Sequence, residues 1–171
     1  MPRCLLLSLL LLCSSPAHAD WSQEITPALL AGQGDYQFLG MPIYTARLWV
    51  AEKPFDPAHR FALSLTYYHH ITKSRLINTS LDEIQRIKGS ALPTEKLAAW
   101  RAALEQAIDE VEVGDSLTGV YLPDVGVDFY HNGRLTAAIK DADFARSFFA
   151  IWLSVKSRDA NLRSHLLGSA Q

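Results

Sequence analysis

The hydrophobic period of this chain changes twice between residues 43 and 140, and that change limits the folds open to it. "IYTARLWV" (43–50) and "RFALSLTYYHH" (60–70) alternate residue by residue, which is the period of a half-buried strand. In the first, Tyr44, Ala46, Leu48 and Val50 share one face and Thr45, Arg47 and Trp49 the other. In the second, Phe61, Leu63, Leu65 and Tyr67 oppose Ala62, Ser64, Thr66, Tyr68 and His70. From Thr72 to Lys88 the spacing becomes helical, with Ser80-Leu81-Asp82-Glu83 matching a capping box that could restart a helix, and Gly89 closing it. Pro93-Thr94 opens a second helix, whose stripe is Leu97, Trp100, Leu104, Ile108 and Val111. Period two then returns over 116–122, 126–131 and 134–140, with Asn132-Gly133 marking a two-residue hairpin. Asp141 is placed to cap a helix carrying Phe144, Phe148, Ile151 and Trp152, and a short helix follows from Ala160 to Leu167, ending at Gly168. Strands, helices, strands and helix in that order predict an α+β domain: a largely antiparallel sheet with helices on one face.

The first nineteen residues read differently. Arg3, the apolar run Leu5 to Leu12 and the small-residue pattern Ala17-His18-Ala19 have the form of a secretory signal peptide (1–19), leaving one domain at 20–171. The expected location is outside the cytoplasm, in the periplasm or beyond. Both cysteines, Cys4 and Cys13, fall in that leader, so the domain is expected to be stabilised by its core without disulfide or thiolate-metal chemistry. Net charge is −2 for the whole chain and one unit more negative without Arg3. With no basic block, that balance argues against a nucleic-acid partner. No later stretch approaches the roughly 20 apolar residues needed to span a bilayer.

The segment most suggestive of chemistry is Tyr67-Tyr68-His69-His70. If the strand continues through it, the two histidines point to opposite faces and cannot share an ion, so no metal site is expected. The plain reading makes Tyr67 core and Tyr68 and His70 surface decoration. The functional reading pairs the two strands, so that Thr66, Tyr68 and His70 lie beside Thr45, Arg47 and Trp49 and give a cation, hydroxyls and aromatic walls to an amphipathic acid. Asp82-Glu83 and Asp109-Glu110 read as solvated helix faces. Asp115, Asp124 and Asp141 read as turn or cap residues, and Phe144, Phe148 and Trp152 as core. The sequence shows no nucleophile elbow or phosphate loop, and "GQG" lacks the further glycine of a dinucleotide fingerprint, so no cofactor is expected.

From "LLAGQGDYQFLGMPIYTARLWV" onward the chain resembles the chalcone isomerase-like family, specifically its exported bacterial branch. The resemblance rests on the Gly-x-Gly followed by an aromatic strand, Tyr44-x-x-x-Leu48-Trp49, "LSLTYYHHI", "VGDSLTGVYLPDVGVDFYHNGRLTAAIKDADFARSFFAIWLS" and "LRSHLLG". It implies an open-faced β-sandwich with a ligand cleft between sheet and helices. It also implies one of two uses for that cleft, closure of a flavanone ring in the plant enzymes or fatty-acid binding in non-catalytic members. The enzymes' arginine falls near Asp35 or Tyr36 and their threonine at Tyr44 or Thr45. Their tyrosine falls near Arg75 or Leu76, and Asn78 is the candidate for their asparagine. The catalytic set is not reproduced, so no catalytic residue is assigned.

The function expected is non-catalytic binding of a small hydrophobic or fatty-acid-like ligand. Arg47 would hold the acidic head, Thr45, Thr66, Tyr68 and His70 would add polar contacts, and Tyr44, Trp49 and Phe129 would wall the cleft. The alternatives are an intramolecular lyase using Arg75 or Arg47 as its electrostatic clamp, and a structural protein that binds a partner.

Overall fold

The computed structural model describes residues 20–169. The expected leader, residues 1–19, lies outside them. After a 3-10 turn at Trp21–Glu24 come β1 (Leu29–Phe38), β2 (Met41–Val50), β3 (Phe61–Tyr67), α1 (Lys73–Lys88) and α2 (Thr94–Ala107). They are followed by β4 (Ser116–Leu122), β5 (Gly126–His131), β6 (Arg134–Ile139), α3 (Ala142–Leu153) and α4 (Ala160–Leu166). All six strands form one antiparallel sheet in chain order. The α1–α2 pair is inserted between neighbouring strands, so the architecture is the α+β sheet-and-helix arrangement that the two changes of period require.

Strand β1 is not announced by alternation, because Gly32 and Gly34 interrupt it. The glycines are explained from across the sheet. A Cβ on Gly32 would lie 2.0 Å from the His165 carbonyl oxygen and 2.5 Å from that of Leu166, and one on Gly34 would lie 2.9 Å from Leu162 Cδ1. They let α4 sit directly on the strand, where Leu162 and Leu166 are buried.

Helix α1 runs unbroken through Ser80, whose hydroxyl donates to the Leu76 carbonyl (2.9 Å), so the capping box there does not restart a helix. Thr72 caps its start and Gly89, at φ +72°, ends it. The stripe expected on α2 is cut at Ala107. Ile108 and Val111 are buried, but from an extended segment in which Val111 bridges Ile71. Asp141 caps α3, accepting from Phe144 N and from Trp100 Nε1, each at 2.9 Å.

The sheet's two faces differ as the alternation requires. Ala46, Leu48 and Val50 join Phe61, Leu63, Leu65, Tyr67, Leu117, Tyr121, Val127 and Phe129 in the main core beneath the helices. On the other face the 3-10 turn covers only a small cluster of Ile25, Ala62, Val120 and Tyr130, with Trp21 and Trp49.

Candidate functional site

Helix placement makes the site. α3 lies over β4 and β5, α4 over β1 and β2, and α2 over β6, whereas α1 packs on α2 and α3. The middle of the sheet is therefore left facing a cavity of about 870 Å³. Leu63, Leu65 and Tyr67 from β3 form its floor, with Leu117, Gly119 and Phe129 beside them. Leu76 of α1 and Phe148, Phe149, Ile151 and Trp152 of α3 form its roof. Gly119 brings the β4 backbone close to α3, since a Cβ there would stand 3.0 Å from Phe149 Cζ.

At one end, three tyrosines make an aromatic wall. Tyr36 stacks on Tyr44 with centroids 5.2 Å apart, and Tyr44 meets Tyr67 edge-on at 5.6 Å. Trp152 Nε1 donates to Tyr44 Oη at 2.9 Å. Burial pushes the hydroxyls of Tyr44 and Tyr67 well above the ordinary tyrosine value; the Trp152 hydrogen bond only partly offsets this at Tyr44. Both stay protonated at any pH near neutrality. They can serve as neutral hydrogen-bond donors but not as phenolate bases.

The rim is polar. Glu83, with a side chain 12% exposed, accepts from Arg158 (2.9 and 2.5 Å) and from Arg86 (3.0 and 2.8 Å). Desolvation raises its carboxyl, but the two guanidiniums outweigh that and hold it below the ordinary glutamate range. Asp82 and Asp159 lie on the same stretch of lining, so carboxylates are present there beside the guanidiniums. Arg75 lies in the first turn of α1, exposed, on the cavity lining. Its backbone N–H bonds to Thr72 Oγ1, while its guanidinium pairs with no carboxylate among the described residues. An unpaired guanidinium beside an apolar cavity is suited to a ligand with an anionic head and a hydrocarbon body.

The residues that the sequence nominated divide between the two faces. Tyr44, His70, Arg75 and Phe129 line the cavity. Thr45, Arg47, Trp49, Thr66 and Tyr68 do not: β2 and β3 pair as expected, Thr45 opposite Thr66 and Arg47 opposite Ser64, but that shared face points away from the helices. There all but Trp49, whose buried Nε1 has no partner among the described residues, hydrogen-bond with their neighbours. Thr45 Oγ1 donates to Asp35 (2.6 Å) and lies 2.7 Å from Tyr68 Oη, and Arg47 donates to Gln33 (3.2 Å) and Thr66 (3.2 Å). One cleft built from all nine is thus ruled out by strand parity, because odd and even positions of a strand cannot reach the same side. The histidines also depart from expectation. β3 ends at Tyr67, so alternation does not separate His69 from His70. Both reach the cavity rim, and His70 Nδ1 sits 2.9 Å from Glu112.

Sequence reasoning missed Glu83, read as a solvated helix position, along with Arg158 and the cavity faces of Phe148 and Trp152, read as core. Phe144 is core, fully buried and edge-on to Trp100 at 5.4 Å. A helical stripe on α3 signals burial, and nothing in it distinguishes a side chain packed on protein from one packed on a cavity.

Among solved structures, a fatty-acid binding protein of Arabidopsis thaliana superposes with a TM-score of 0.61, covering 82% of this chain and 86% of its own at 13% identity, a likeness of fold. No curated protein matches the sequence. The family model described as chalcone isomerase-like matches residues 29–168, from the first residue of β1 to the glycine after α4. A match of that extent, over an open antiparallel sheet roofed by helices, places the chain in the chalcone isomerase-like family.

Proposed function

We propose that the protein binds an amphipathic carboxylic acid, of fatty-acid type, in the cavity between sheet and helices and does not transform it. The observation that carries this reading is the apolar cavity of about 870 Å³ with the unpaired Arg75 guanidinium on its lining. The aliphatic and aromatic walls take the chain, Arg75 takes the carboxylate, and the neutral hydroxyls of Tyr44 and Tyr67 are available as donors. The fold likeness to a fatty-acid binding protein supports the same direction. The leader-like N-terminus supports an exported protein of the bacterial branch acting in the periplasm, which cell fractionation checks directly.

The test is denaturing extraction and mass spectrometry of protein purified without detergent, followed by titration with dodecanoate. A stoichiometric aliphatic acid, displaced when Leu65→Trp fills the cavity floor, is the expected result. Protein that carries nothing and ignores dodecanoate rejects the reading. Loss of the chalcone absorbance band on incubation with chalcone would instead identify an intramolecular lyase.

A further inference from the structure

The sheet contains two tight hairpins with nearly the same backbone and opposite chemistry. Between β5 and β6 the turn is Asn132 (φ +49°) and Gly133 (φ +78°), the residues that this left-handed conformation favours. Between β1 and β2 it is Leu39 (φ +52°) and Gly40 (φ +78°). Leucine is disfavoured in the left-handed region, and Leu39 gains no packing there, being 86% exposed. Folding does not account for it, and an outlier of this kind at a tip points toward function.

Its neighbours extend the same surface. Phe38 is 51% and Met41 53% exposed, and no charged residue occurs between Asp35 and Arg47. Phe38, Met41 and Ile43 also line the cavity, so the tip is continuous with the cavity's apolar wall. Tyr68, 42% exposed, donates its backbone N–H to Ile43 (2.9 Å), and from it the chain runs on to His70 and Arg75 at the rim.

We propose that the β1–β2 tip docks the protein on a lipid bilayer, so that an acyl chain passes between membrane and cavity along the Phe38–Met41 wall without crossing water. The exchange role rests on the lipid-binding reading above; the docking does not. A bilayer fits the tip better than a second copy of the chain does. A stable dimer buries roughly 800 Å² per partner, beyond the reach of three side chains on a two-residue turn. A bilayer's boundary accepts a protruding apolar tip to a depth of about 5–10 Å with no matching surface.

Leu39→Asn is the informative variant, because asparagine suits φ +52° and Leu39 is absent from the cavity lining. The full chain is tested by flotation with vesicles of phosphatidylethanolamine and phosphatidylglycerol, alongside dodecanoate titration in solution. Wild type is expected to float with the vesicles and to take up vesicle-borne fluorescent fatty acid at a rate that rises with vesicle concentration. Leu39→Asn is expected to melt no lower and to bind dodecanoate equally, with vesicle affinity about tenfold weaker, the loss that partial burial of one leucine implies. Wild type that stays off the vesicles, Leu39→Asn that floats as well as wild type, or self-association in solution that Leu39→Asn abolishes each overturn the docking. If dodecanoate binds while vesicles do not, the docking falls and the cavity reading stands. If vesicles bind through Leu39 while dodecanoate does not, the docking stands and the cavity reading falls.

Discussion

Two arginines, 28 positions apart in sequence and on opposite sides of one sheet, decide which surface is the site. Arg75→Gln removes the unpaired cation on the cavity lining, while Arg47→Gln removes one that already donates to Gln33 and Thr66 on the far face. A charge-assisted hydrogen bond is worth about 1.5–3 kcal/mol, but Arg75 is exposed and exposed ion pairs yield about 0–1, so a net of about 1–2 kcal/mol is reasonable. That corresponds to dodecanoate binding about 5- to 30-fold more weakly to Arg75→Gln. Dodecanol, with the same chain and no charge, should bind both proteins alike. Arg47→Gln should change neither affinity by more than about twofold, since a surface substitution on the far face leaves the cavity untouched. Trp152 lies in the cavity wall, so its fluorescence reports occupancy. Unchanged dodecanoate binding in Arg75→Gln refutes the anchor. An equal loss for acid and alcohol would mean that Arg75 supports the wall and not the charge. A loss confined to Arg47→Gln would move the site to the open face.

Other consequences follow from the same geometry. Gly32→Ala places a Cβ 2.0 Å from the His165 carbonyl oxygen, forcing α4 outward. Losing much of the burial of Leu162 and Leu166 should cost about 2–4 kcal/mol, read as a lower midpoint in urea at an unchanged slope. The Glu83 carboxyl is depressed in the folded state, so its contribution to stability is full above the ordinary glutamate value and disappears as pH falls through the folded one. Glu83→Gln should therefore flatten part of the acid-side decline in melting temperature, and a wild-type slope in this variant would deny the Arg158–Glu83–Arg86 cluster that role. Dodecanoate at about 100 times its Kd should stabilise the fold by about 2.7 kcal/mol, roughly 5–11 °C in melting temperature for a domain of this size. No shift in wild type, or an equal shift in Leu65→Trp, would place the ligand elsewhere.

Alternation located β2, β3 and the three later strands because each has one face on the core, and burial is the property that period two records. It missed β1 because the glycines there serve contact with α4, a partner more than a hundred residues away. It grouped residues from both faces of β2 into one cleft by a similar logic. Thr45, Arg47 and Thr66 looked like a site because polar groups on a strand resemble binding groups. In the fold they hydrogen-bond with Asp35, Gln33 and Tyr68 on the face without helices. The cavity itself leaves almost no mark in sequence, because Leu65, Phe148 and Trp152 are apolar whether they touch protein or ligand. Only the fold shows that Arg75 has no carboxylate partner among the described residues and that Glu83, read as solvated, is held between two guanidiniums.

The size of the cavity argues that something belongs in it. The cavity opens to water at its rim, yet Leu63, Leu65, Leu117 and Phe148 on its lining keep only 3%, 7%, 8% and 7% of their surface accessible with no guest present. What the empty space lacks is packing partners for those side chains, and an apolar guest would supply them. A chain that needed only to fold could close the gap by resting α1 on β3, as α4 rests on β1 through Gly32 and Gly34. Instead α1 packs on α2 and α3 and holds Arg75 and Glu83 at the rim. The arrangement sacrifices packing where an apolar guest can restore it, so ligand binding and stability in this fold should rise and fall together.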